Sequence, residues 1–312
     1  MSANVIYQKL NKNKKFNKNL SLLFRKGLLS DKLFLSIKYR LKVGRKLNWD
    51  DPKSMREKWQ WLKLYDRRPE YTIMVDKYRF KEWAANIIGE EYIIPLLGVW
   101  DKPEDVDFSI LPKKFVLKCN HSTAHHYIHS GDDEPDREFA VGLLKKSYDI
   151  DHFWKSAEWP YKNVEKKVIA EEYIEDPLNP RLVDYKYYCY WGVPHYIQVN
   201  SHAKHEYFSD QREVRNYQGF YDMDWNMQEF TQEFPYEHDV YTPKPANFDK
   251  MTELAKKLSQ GIPFVRVDFY NISGKIYAGE MTLYPYAGLG AITPEKWDFV
   301  LGDLLDLSPL KR

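Results

Sequence analysis

Two acidic residues near the C-terminal end of the chain stand in strand-like runs on either side of a turn. Asp268 and Glu280 lie in the segment FVRVDFYNISGKIYAGEMTLYPYAG, whose middle part, NISG, is a turn signal. A loop of three or five residues centred on Gly274 pairs position 268 with 280 and position 266 with 282. Side chains opposed in this way have Cβ atoms roughly 4.5–5.5 Å apart, and like charges there are destabilising unless a cation neutralises them. The spacing therefore predicts a cation site between Asp268 and Glu280.

The chemistry of these ligands indicates which cation to expect. Carboxylate oxygens suit a hard ion, and Mg²⁺ typically takes one or two carboxylates and completes its shell with water and phosphate oxygens. Arg266, on the same side of the strand, would hold a phosphate or an oxyanion. On spacing alone, a hairpin whose acids face solvent is an equal alternative, because a register slip of one residue would separate the two carboxylates.

Three further segments carry charge within or beside apolar runs. Lys118 ends the run FVLK, where a partly buried amine needs an anionic partner such as a phosphate; an edge-strand lysine is the alternative. The segment 171–174, EEYI, ends another apolar run and would offer backbone groups to a base and a carboxylate to a ribose. Asp184 and Lys186 open a third run on one face of a strand, where a surface ion pair would produce the same pattern.

The segment that follows Lys118 reads CNHSTAHHYIHS and contains no glycine. Loops that grip phosphate commonly use glycines to bring backbone N–H groups close to it. The small Ser122 and Thr123 would still permit that approach, and His121 or His125 would add a donor; a lid with incidental histidines is the alternative. A zinc site among the histidines is a weaker interpretation, because two distant cysteines supply no thiolate site.

The elements that must position these residues follow from hydrophobic periodicity. Spacing of three and four residues predicts a helix over 54–65, a second helix from after Asp76 to Gly89, and a third over 249–260 that stops at Gly261. Alternating apolar and aromatic runs between turn signals predict strands. Their sequences are YIIPLLGVW, KKFVLKC, KKVIAEEYI, DYKYYCYWG, VPHYIQVN, PFVRVDFY and KIYAGEMTLY. The pattern indicates an α+β enzyme built on mostly antiparallel sheets.

Charge is distributed unevenly along the 312 residues. The first fifty residues carry 13 Lys/Arg and 2 Asp/Glu and the remainder carries 34 and 43, so the net charge of +2 divides into +11 and −9. Leucines and phenylalanines alternate with basic residues between positions 22 and 40, which is typical of a basic amphipathic segment. Such a segment attaches to an anionic membrane surface or an acidic partner, or packs as a helical arm with its lysines in water. No recognition pattern for nucleic acid accompanies the charge.

The two cysteines and the absence of long apolar stretches bear on the compartment. Cys119 and Cys189 are too few and too far apart for a disulfide framework, which favours a reducing environment. No stretch reaches the roughly 18 consecutive apolar residues that a spanning helix needs, and the N-terminus lacks a signal-type apolar core. We expect a cytoplasmic protein, with the basic segment available for peripheral contact with the inner face of the membrane.

Taken in chain order, these pieces resemble the ATP-grasp superfamily. The order is Asp76-Lys77 before a helix and the IIP segment, then FVLK, EEYI, Asp184 with Lys186, RVD, and EMT. Residues 48–305 resemble the TupA-like branch of teichuronopeptide biosynthesis, which is found with bacterial surface-polysaccharide enzymes. The segments that carry this resemblance are NWDDPKSMREKWQWLKLYDR, DKYRFKEW, LPKKFVLKCNHS, DYKYYCYWG and RVDFYNISGKIYAGEMTLYP.

The resemblance implies an ATP-grasp fold, in which lobes of mostly antiparallel sheets clasp ATP, with ATP and Mg²⁺ as cofactors. We expect a basic helical N-terminal arm at 1–50, an N-terminal lobe at 51–112, and a central subdomain at 113–175 that holds the lysine strand, phosphate loop and hinge. A C-terminal lobe with the metal site would occupy 176–312.

The resemblance also implies roles for individual residues. Arg266 and Lys186 are expected to be catalytic, and Asp268, Glu280 and Thr282 to hold the metal, although many members have asparagine where Thr282 stands. The expected nucleotide contacts are Lys77, Lys118, Ser122, Thr123, Glu171, Glu172, Tyr173, Ile174 and Asp184. Aromatic faces and arginines suit pyranose rings and carboxylates, which makes four residues predicted sugar contacts: Arg215, Tyr217, Trp225 and Tyr286.

The implied reaction is amide formation, in which ATP phosphorylates a carboxylate to an acyl phosphate that an amine then attacks. Pathway resemblance suggests a uronic acid in a glycan as the carboxylate and an amino acid or amine as its partner. Two other classes stay open. One is a glycosyltransferase-type polysaccharide enzyme that uses a nucleotide sugar; the other is a non-catalytic nucleotide-binding scaffold, which the glycine-free loop favours. Residues 1–50 are the expected contact with the membrane or with polysaccharide-assembly proteins.

Overall fold

The computed structural model describes residues 15–131, 133–176, 182–201, 217–233 and 242–310. In these ranges the chain alternates between helices and short strands. The helices are α1 (15–25), α2 (Asp31–Val43), α3 (Met55–Tyr65), α4 (Glu70–Val75), α5 (Arg79–Ile88), α6 (Arg137–Tyr148), α7 (His152–Ser156), α8 (Phe248–Ser259) and α9 (Lys296–Asp303). The strands are β1 (Leu96–Trp100), β2 (Phe115–Cys119), β3 (Tyr127–His129), β4 (Val168–Glu172), β5 (Val183–Tyr190), β6 (Val193–Ser201), β7 (Tyr217–Asp222), β8 (Thr231–Gln232), β9 (Phe264–Ile272), β10 (Lys275–Thr282) and β11 (Ile292–Thr293).

The strands form two main sheets, and every pair of neighbours within them is antiparallel. The first sheet has four strands in the order β1-β4-β2-β3. The second has five strands in the order β10-β9-β5-β6-β7. Strands β8 and β11 make a separate two-stranded sheet. The predicted α+β class with mostly antiparallel sheets is confirmed.

The elements predicted from periodicity are present. Each of the seven predicted runs contains a strand, and the three predicted helices are α3, α5 and α8. Helix α3 begins with a capping box, in which the Ser54 side chain accepts from the backbone N–H of Glu57 and the Glu57 carboxylate accepts from that of Ser54. The fully buried Trp59 of α3 then packs its ring against Phe264 of β9, with centroids 5.2 Å apart. Helix α3 is thereby fixed to the larger sheet.

The basic N-terminal segment forms a helical hairpin that packs on the body. Helix α1 and helix α2 are joined by a turn in which Gly27 has φ 73°, and Ser30 caps the start of α2. Phe24 stacks on Phe34 at 4.3 Å and meets Phe153 of α7 at 5.5 Å. A helical arm packed on the body, one of the two structures expected from the sequence, is therefore the one observed for residues 15–43. The predicted domain boundaries stay a prediction.

The residues just before helix α5 contact the chain at the end of strand β2. The backbone N–H of Lys77 donates to the carbonyl of Asn120, just beyond β2, at 3.0 Å. The Asn120 amide donates to Asp76 at 2.8 Å, and the Asp76 carboxylate in turn accepts from the backbone N–H groups of Tyr78 and Arg79. Asp76 thus caps the start of α5 and ties it to the end of the lysine strand, so that both lysine-bearing elements are held together.

Candidate functional site

The two carboxylates of the β9–β10 hairpin face each other as predicted, but for a different reason. The turn has two residues rather than three or five: Ile272 pairs with Lys275, and Ser273 and Gly274 have φ 48° and 92°. Positive φ at both turn positions is typical of the tight turns that suit the strand twist. Continued without interruption, this register would place Glu280 opposite Val267, on the other face of the sheet.

A β-bulge at Gly279 corrects the register. The pairing shifts between Ala278 and Glu280, so that Glu280 faces Asp268 and Thr282 faces Arg266. A bulge adds one residue to one strand, and glycine in a strand interior often marks it. A Cβ at Gly279 would lie 3.1 Å from the ring of Tyr270, closer than ordinary contact. The facing pair of acids is therefore produced by the bulge and not by the length of the loop.

Asp268 lies at the centre of a network of buried charges. The Nε and Nη2 groups of Arg266 donate to the two carboxylate oxygens of Asp268, each at 2.7 Å. Lys186, directly across from Asp268 on β5, donates to the same carboxylate at 2.8 Å and lies 3.3 Å from Asp184. The side chains of Asp268 and Lys186 are 6% and 13% exposed. Burial would lower the pKa of Lys186, yet Asp184 and Asp268 raise it, so this amine is a fixed positive charge.

Glu280 shares the same cations and is more open to solvent. Lys77, just before α5, lies 3.1 Å from one Glu280 oxygen, and Arg266 lies 3.4 Å from the other. Arg266 also donates to the Thr282 hydroxyl at 3.1 Å. Burial would raise the pKa of the Glu280 carboxyl, but Lys77 and Arg266 hold it well below its ordinary value. Glu280 therefore stays ionised and available as a ligand at neutral pH.

These groups form a balanced set of six charges, which we call the charge cluster. The acids are Asp184, Asp268 and Glu280, and the bases are Lys77, Lys186 and Arg266. A buried charge that loses its partner is costly. Each charge of the cluster has an opposite partner within it.

The two carboxylates are ligands of the type that Mg²⁺ prefers. Asp268 and Glu280 face each other across the ladder, and both are surrounded by positive charges that a cation could displace. Among the residues that the structure describes, no cluster of three or more His, Cys, Asp or Glu side chains is arranged to hold a metal. Mg²⁺ at this position would complete its coordination shell with water and phosphate oxygens, as it usually does. Thr282 adjoins the pair, and its role as a third ligand stays a prediction.

A second group of charges lies on the four-stranded sheet. Lys118 of β2 is 2.5 Å from Glu171 of β4, and Lys81 of α5 is 2.8 Å from the other oxygen of the same carboxylate. The Glu171 side chain is 6% exposed. Burial would raise its pKa, but the two lysines lower it to about 2. Glu171 therefore holds two lysines in place, rather than pointing to an open ribose site in this state.

Sequence reasoning missed Lys81. It lies four residues after Lys77, and side chains four residues apart lie on one side of a helix, so the spacing carried the signal. Lys81 also donates to the backbone carbonyl of Ile94 at 2.7 Å. Burial lowers its pKa, although Glu171 partly opposes this. Lys81 joins Lys77 and Lys118 as a third amine at the edge where the sheets meet.

The loop after Lys118 faces partly inward. His121 is buried, and its ring nitrogens lie 3.3 Å from the Asn120 amide oxygen and 3.2 Å from the Tyr148 carbonyl. Burial lowers the pKa of His121 to about 4, so the ring is neutral and committed to the protein. Of the two histidines expected to offer a phosphate donor, His121 is therefore turned into the protein, and a donor from the exposed His125 stays a prediction. Ser122 is buried and bonds within the loop to Ala124, whereas Thr123 is exposed; their contact with nucleotide stays a prediction.

The predicted hinge lies where the chain passes from one sheet to the other. Strand β4 ends at Glu172 and strand β5 begins at Val183, so the segment after β4 connects the two sheets. Glu172 is exposed, and its backbone N–H donates to Pro95. Tyr173 and Ile174 are partly buried. This position suits a segment that contacts a base between the sheets, and that role stays a prediction.

The four predicted sugar contacts have different outcomes. Trp225 is 6% exposed, stacks on Tyr221 at 4.7 Å, and donates from its indole to the Thr242 carbonyl. It belongs to the core on the face opposite the charge cluster, which excludes it as a sugar contact. Tyr286 is partly buried beside the cluster face and accepts a hydrogen bond from Gln218 at 3.3 Å. Arg215 and the side chain of Tyr217 lie outside the described residues.

Neutral polar side chains lie next to the charge cluster, on the same face of the five-stranded sheet. Gln198 of β6 pairs with Lys186, and Gln218 of β7 belongs to the next strand on the same face. The Tyr188 hydroxyl lies 2.8 Å from the Gln198 amide oxygen and 2.6 Å from that of Gln232. One polar atom each of Gln218 and Gln232 is buried without a partner in the described part of the chain. Sequence reasoning missed this polar group because isolated glutamines in strands carry no pattern.

The fold and the site define a class of protein. Amines from α5 and β2 lie at one sheet, and a pair of facing carboxylates lies at the other, as expected where ATP is clasped between two sheets. The family model described as TupA-like ATPgrasp matches residues 57–306, and the chain belongs to this family. Membership confirms the predicted ATP-grasp fold. ATP-grasp ligases use ATP and Mg²⁺, which are the predicted cofactors.

Several solved structures of ligases and synthetases are similar to this chain at low sequence identity. D-Alanine–D-alanine ligase from Bacillus anthracis is 16% identical with a TM-score of 0.40, over 68% of this chain and 57% of that one. The corresponding ligase from Helicobacter pylori is 13% identical with a TM-score of 0.40, over 76% and 64%. D-Cycloserine synthetase DcsG is 15% identical with a TM-score of 0.40, over 77% and 71%. The chain thus spans less than two thirds of the two D-alanine ligases, and no curated protein matches its sequence.

Lys118→Met is expected to weaken ATP binding by about ten- to a hundredfold, because a hydrogen bond to a charged group contributes roughly 1.5–3 kcal/mol. The measurement is calorimetric titration of ATP with Mg²⁺ present. Lys145→Met is the matched control, since Lys145 pairs with Glu104 at the surface and both side chains are about half exposed. Equal affinity of Lys118→Met and wild type would contradict a phosphate role for Lys118.

Proposed function

We propose that the chain is an ATP-dependent carboxylate–amine ligase that forms an amide through an acyl phosphate. A substrate carboxylate oxygen attacks the γ-phosphorus of ATP and ADP leaves. The amine nitrogen then attacks the acyl carbon, phosphate leaves, and the amine gives up a proton. The observation that carries the proposal is the facing pair Asp268 and Glu280 inside a cluster whose three cations balance its three acids.

The residues present fit the electrostatic needs of this reaction. Lys77, Lys118 and Lys81 would bind the phosphates, and Asp268 and Glu280 would hold Mg²⁺. Mg²⁺ supplies charge neutralisation at phosphoryl oxygens. Lys186 and Arg266 are fixed positive charges beside them, since the carboxylates raise the pKa of both against the effect of burial. They suit the stabilisation of an oxyanion and not the removal of a proton.

The proposed carboxylate substrate is a uronic acid of a surface polysaccharide, and the amine is an amino acid or related amine. Arg266 offers a planar donor group that matches a carboxylate. Tyr286, which is only partly buried beside the same face, has a hydroxyl that can donate and accept, which suits sugar hydroxyls. The proposed setting is the cytoplasmic side of the cell envelope, in the assembly of a capsule-type polymer.

The test is a screen for ADP and phosphate release. Free uronic acids and nucleotide-linked uronates are combined with amino acids, with ATP and Mg²⁺ present, and Glu280→Gln serves as the control. We expect ADP release that needs a carboxylate and an amine, an amide product, and loss of both in Glu280→Gln. With hydroxylamine as the amine, the acyl phosphate would be trapped as a hydroxamate. Sugar transfer without ATP consumption, or Mg-ATP binding without turnover of any pair, would overturn the proposal.

A further inference from the structure

The helical hairpin of α1 and α2 has two apolar surfaces, and the body covers one of them. Leu20, Phe24, Phe34 and Leu35 are buried against Phe153 and Ala157. This contact is enough to dock the hairpin on the rest of the chain. The remaining apolar side chains of the hairpin therefore need a different explanation.

The second apolar surface is exposed and centred on the turn between the two helices. Leu28, in the turn, has the highest exposure of any large hydrophobic residue among those described, at 67%. Leu22, Leu23 and Leu33 flank it at 49%, 41% and 49%. The backbone N–H of Leu28 donates to the carbonyl of Leu23, which ties the turn to the end of α1. Exposed leucines grouped around one turn are a candidate binding surface.

Basic side chains surround this patch. Arg25, Lys26 and Lys32 are exposed and lie within the same turn or next to it. Between residues 15 and 43 the sequence has one acid, Asp31, and it forms a salt bridge with Arg67. Residues 1–14 add three further lysines and no acid to the sequence. The exposed leucines are therefore surrounded by positive charge with little to oppose it.

We propose that this hairpin is a peripheral membrane anchor, which places Leu22, Leu23, Leu28 and Leu33 at the acyl boundary of an anionic bilayer. Arg25, Lys26 and Lys32 contact the lipid headgroups. Amphipathic helices with leucines on one side and lysines or arginines at its border bind such interfaces, and the strength depends on both apolar area and charge. An acidic protein would complement the charges but not a protruding leucine turn. No helix among the described residues is long and apolar enough to cross a membrane, so the contact is at the surface.

The test is co-sedimentation of the full chain with vesicles of phosphatidylcholine alone or with an equal part of phosphatidylglycerol. Wild type is expected to bind the anionic vesicles, with affinity falling as salt rises. Leu22→Gln with Leu28→Gln should weaken binding about tenfold. Arg25→Gln with Lys26→Gln should weaken it about thirtyfold, since each basic residue near the surface contributes a factor of about five. The control is Ile110→Gln, which alters a residue 59% exposed elsewhere on the chain and should leave binding unchanged.

The altered side chains are exposed, so the melting temperature and the ATP affinity of these variants should stay at wild-type values. A negative result for the membrane anchor would therefore leave the proposed ligase function untouched. The proposal is overturned if the wild-type protein does not bind anionic vesicles, or if it binds both vesicle compositions equally. It is also overturned if Leu22→Gln with Leu28→Gln binds as tightly as wild type. Concentration-dependent self-association abolished by Leu28→Gln, without vesicle binding, would assign the patch to a second copy of the chain and also overturn it.

Discussion

Asp268→Asn is expected to lower ATP turnover by about a thousandfold. The substitution keeps the shape of the side chain but removes the charge that faces Glu280, Arg266 and Lys186. Mg²⁺ would lose one of its two carboxylate ligands, and two buried cations would lose their shared partner. Removing one member of a buried ion pair costs about 3 kcal/mol or more, so the free energy of unfolding should fall as well. ADP release and chemical unfolding measure the two effects separately.

A second substitution separates the catalytic loss from the structural one. Asp268→Asn combined with Lys186→Met leaves two acids and two bases in the charge cluster, so part of the lost stability should return, while turnover stays low because a metal ligand and a catalytic cation are both missing. Asp303→Asn, at an exposed position, is the control for both measurements. If Asp268→Asn turned over ATP at the wild-type rate in the presence of Mg²⁺, the assignment of a metal site to this hairpin would be wrong.

Mild acid is expected to destabilise the protein through the buried His121 and the partly buried His152. Burial lowers the pKa of both His121 and His152 from 6.5 to about 4. The unfolded chain takes up these protons near pH 6.5, whereas the folded chain resists them until about pH 4. Their contribution to stability is therefore complete above pH 6.5 and is lost as pH falls towards 4. At pH 5 the loss is about 2 kcal/mol for each histidine.

Above pH 5, the two histidines should account for most of the change in folding stability with pH. The two lysines lower the pKa of Glu171 to about 2, although burial opposes them. The contribution of Glu171 to folding stability therefore begins to fall only below about pH 4.5. Burial raises the pKa of Asp76 and of Glu158, and these two act in the opposite sense. The net effect of mild acid is therefore best assigned with variants of the histidines themselves.

The measurement is the melting temperature at pH 7.5 and at pH 5. His152→Phe retains a ring against Tyr161, whose centroid lies 5.1 Å away, and removes the titrating group. We expect it to lose about half as much stability as wild type between the two pH values. His125→Asn alters an exposed histidine and should behave as wild type does. An equal fall in His152→Phe and wild type would show that His152 is not part of the acid response.

Apolar and aromatic runs between turn signals predicted seven of the eleven strands in the described ranges, and apolar spacing predicted α3, α5 and α8. Helices α4, α6, α7 and α9 and the six-residue strand β7 were not predicted. The short strands β3, β8 and β11 have two or three residues, too few for a period to be visible. They depend on neighbours distant in sequence. The facing of Asp268 and Glu280 was predicted correctly through two errors that cancelled: a predicted loop of three or five residues where the turn has two, and an unrecognised bulge at Gly279.

The contacts of individual side chains were harder to predict than their strands. The sequence predicted a ribose contact for Glu171, but α5 places Lys81 beside this carboxylate. No residue near Glu171 in the sequence indicates that contact. Trp225 follows strand β7, where composition alone cannot show which face of a sheet an aromatic ring will take. The sequence predicted His121 as a possible hydrogen-bond donor to phosphate, but its ring is buried. In each case the missing information is tertiary packing.

The bulge at Gly279 has a consequence for how such sites are found. The spacing between the two facing carboxylates contains one residue that pairs with nothing, so a regular hairpin one residue shorter would bring the same two groups face to face. A search pattern with a fixed interval between Asp and Glu would recover this chain and overlook the shorter form. Related proteins are better compared by strand pairing than by counting positions.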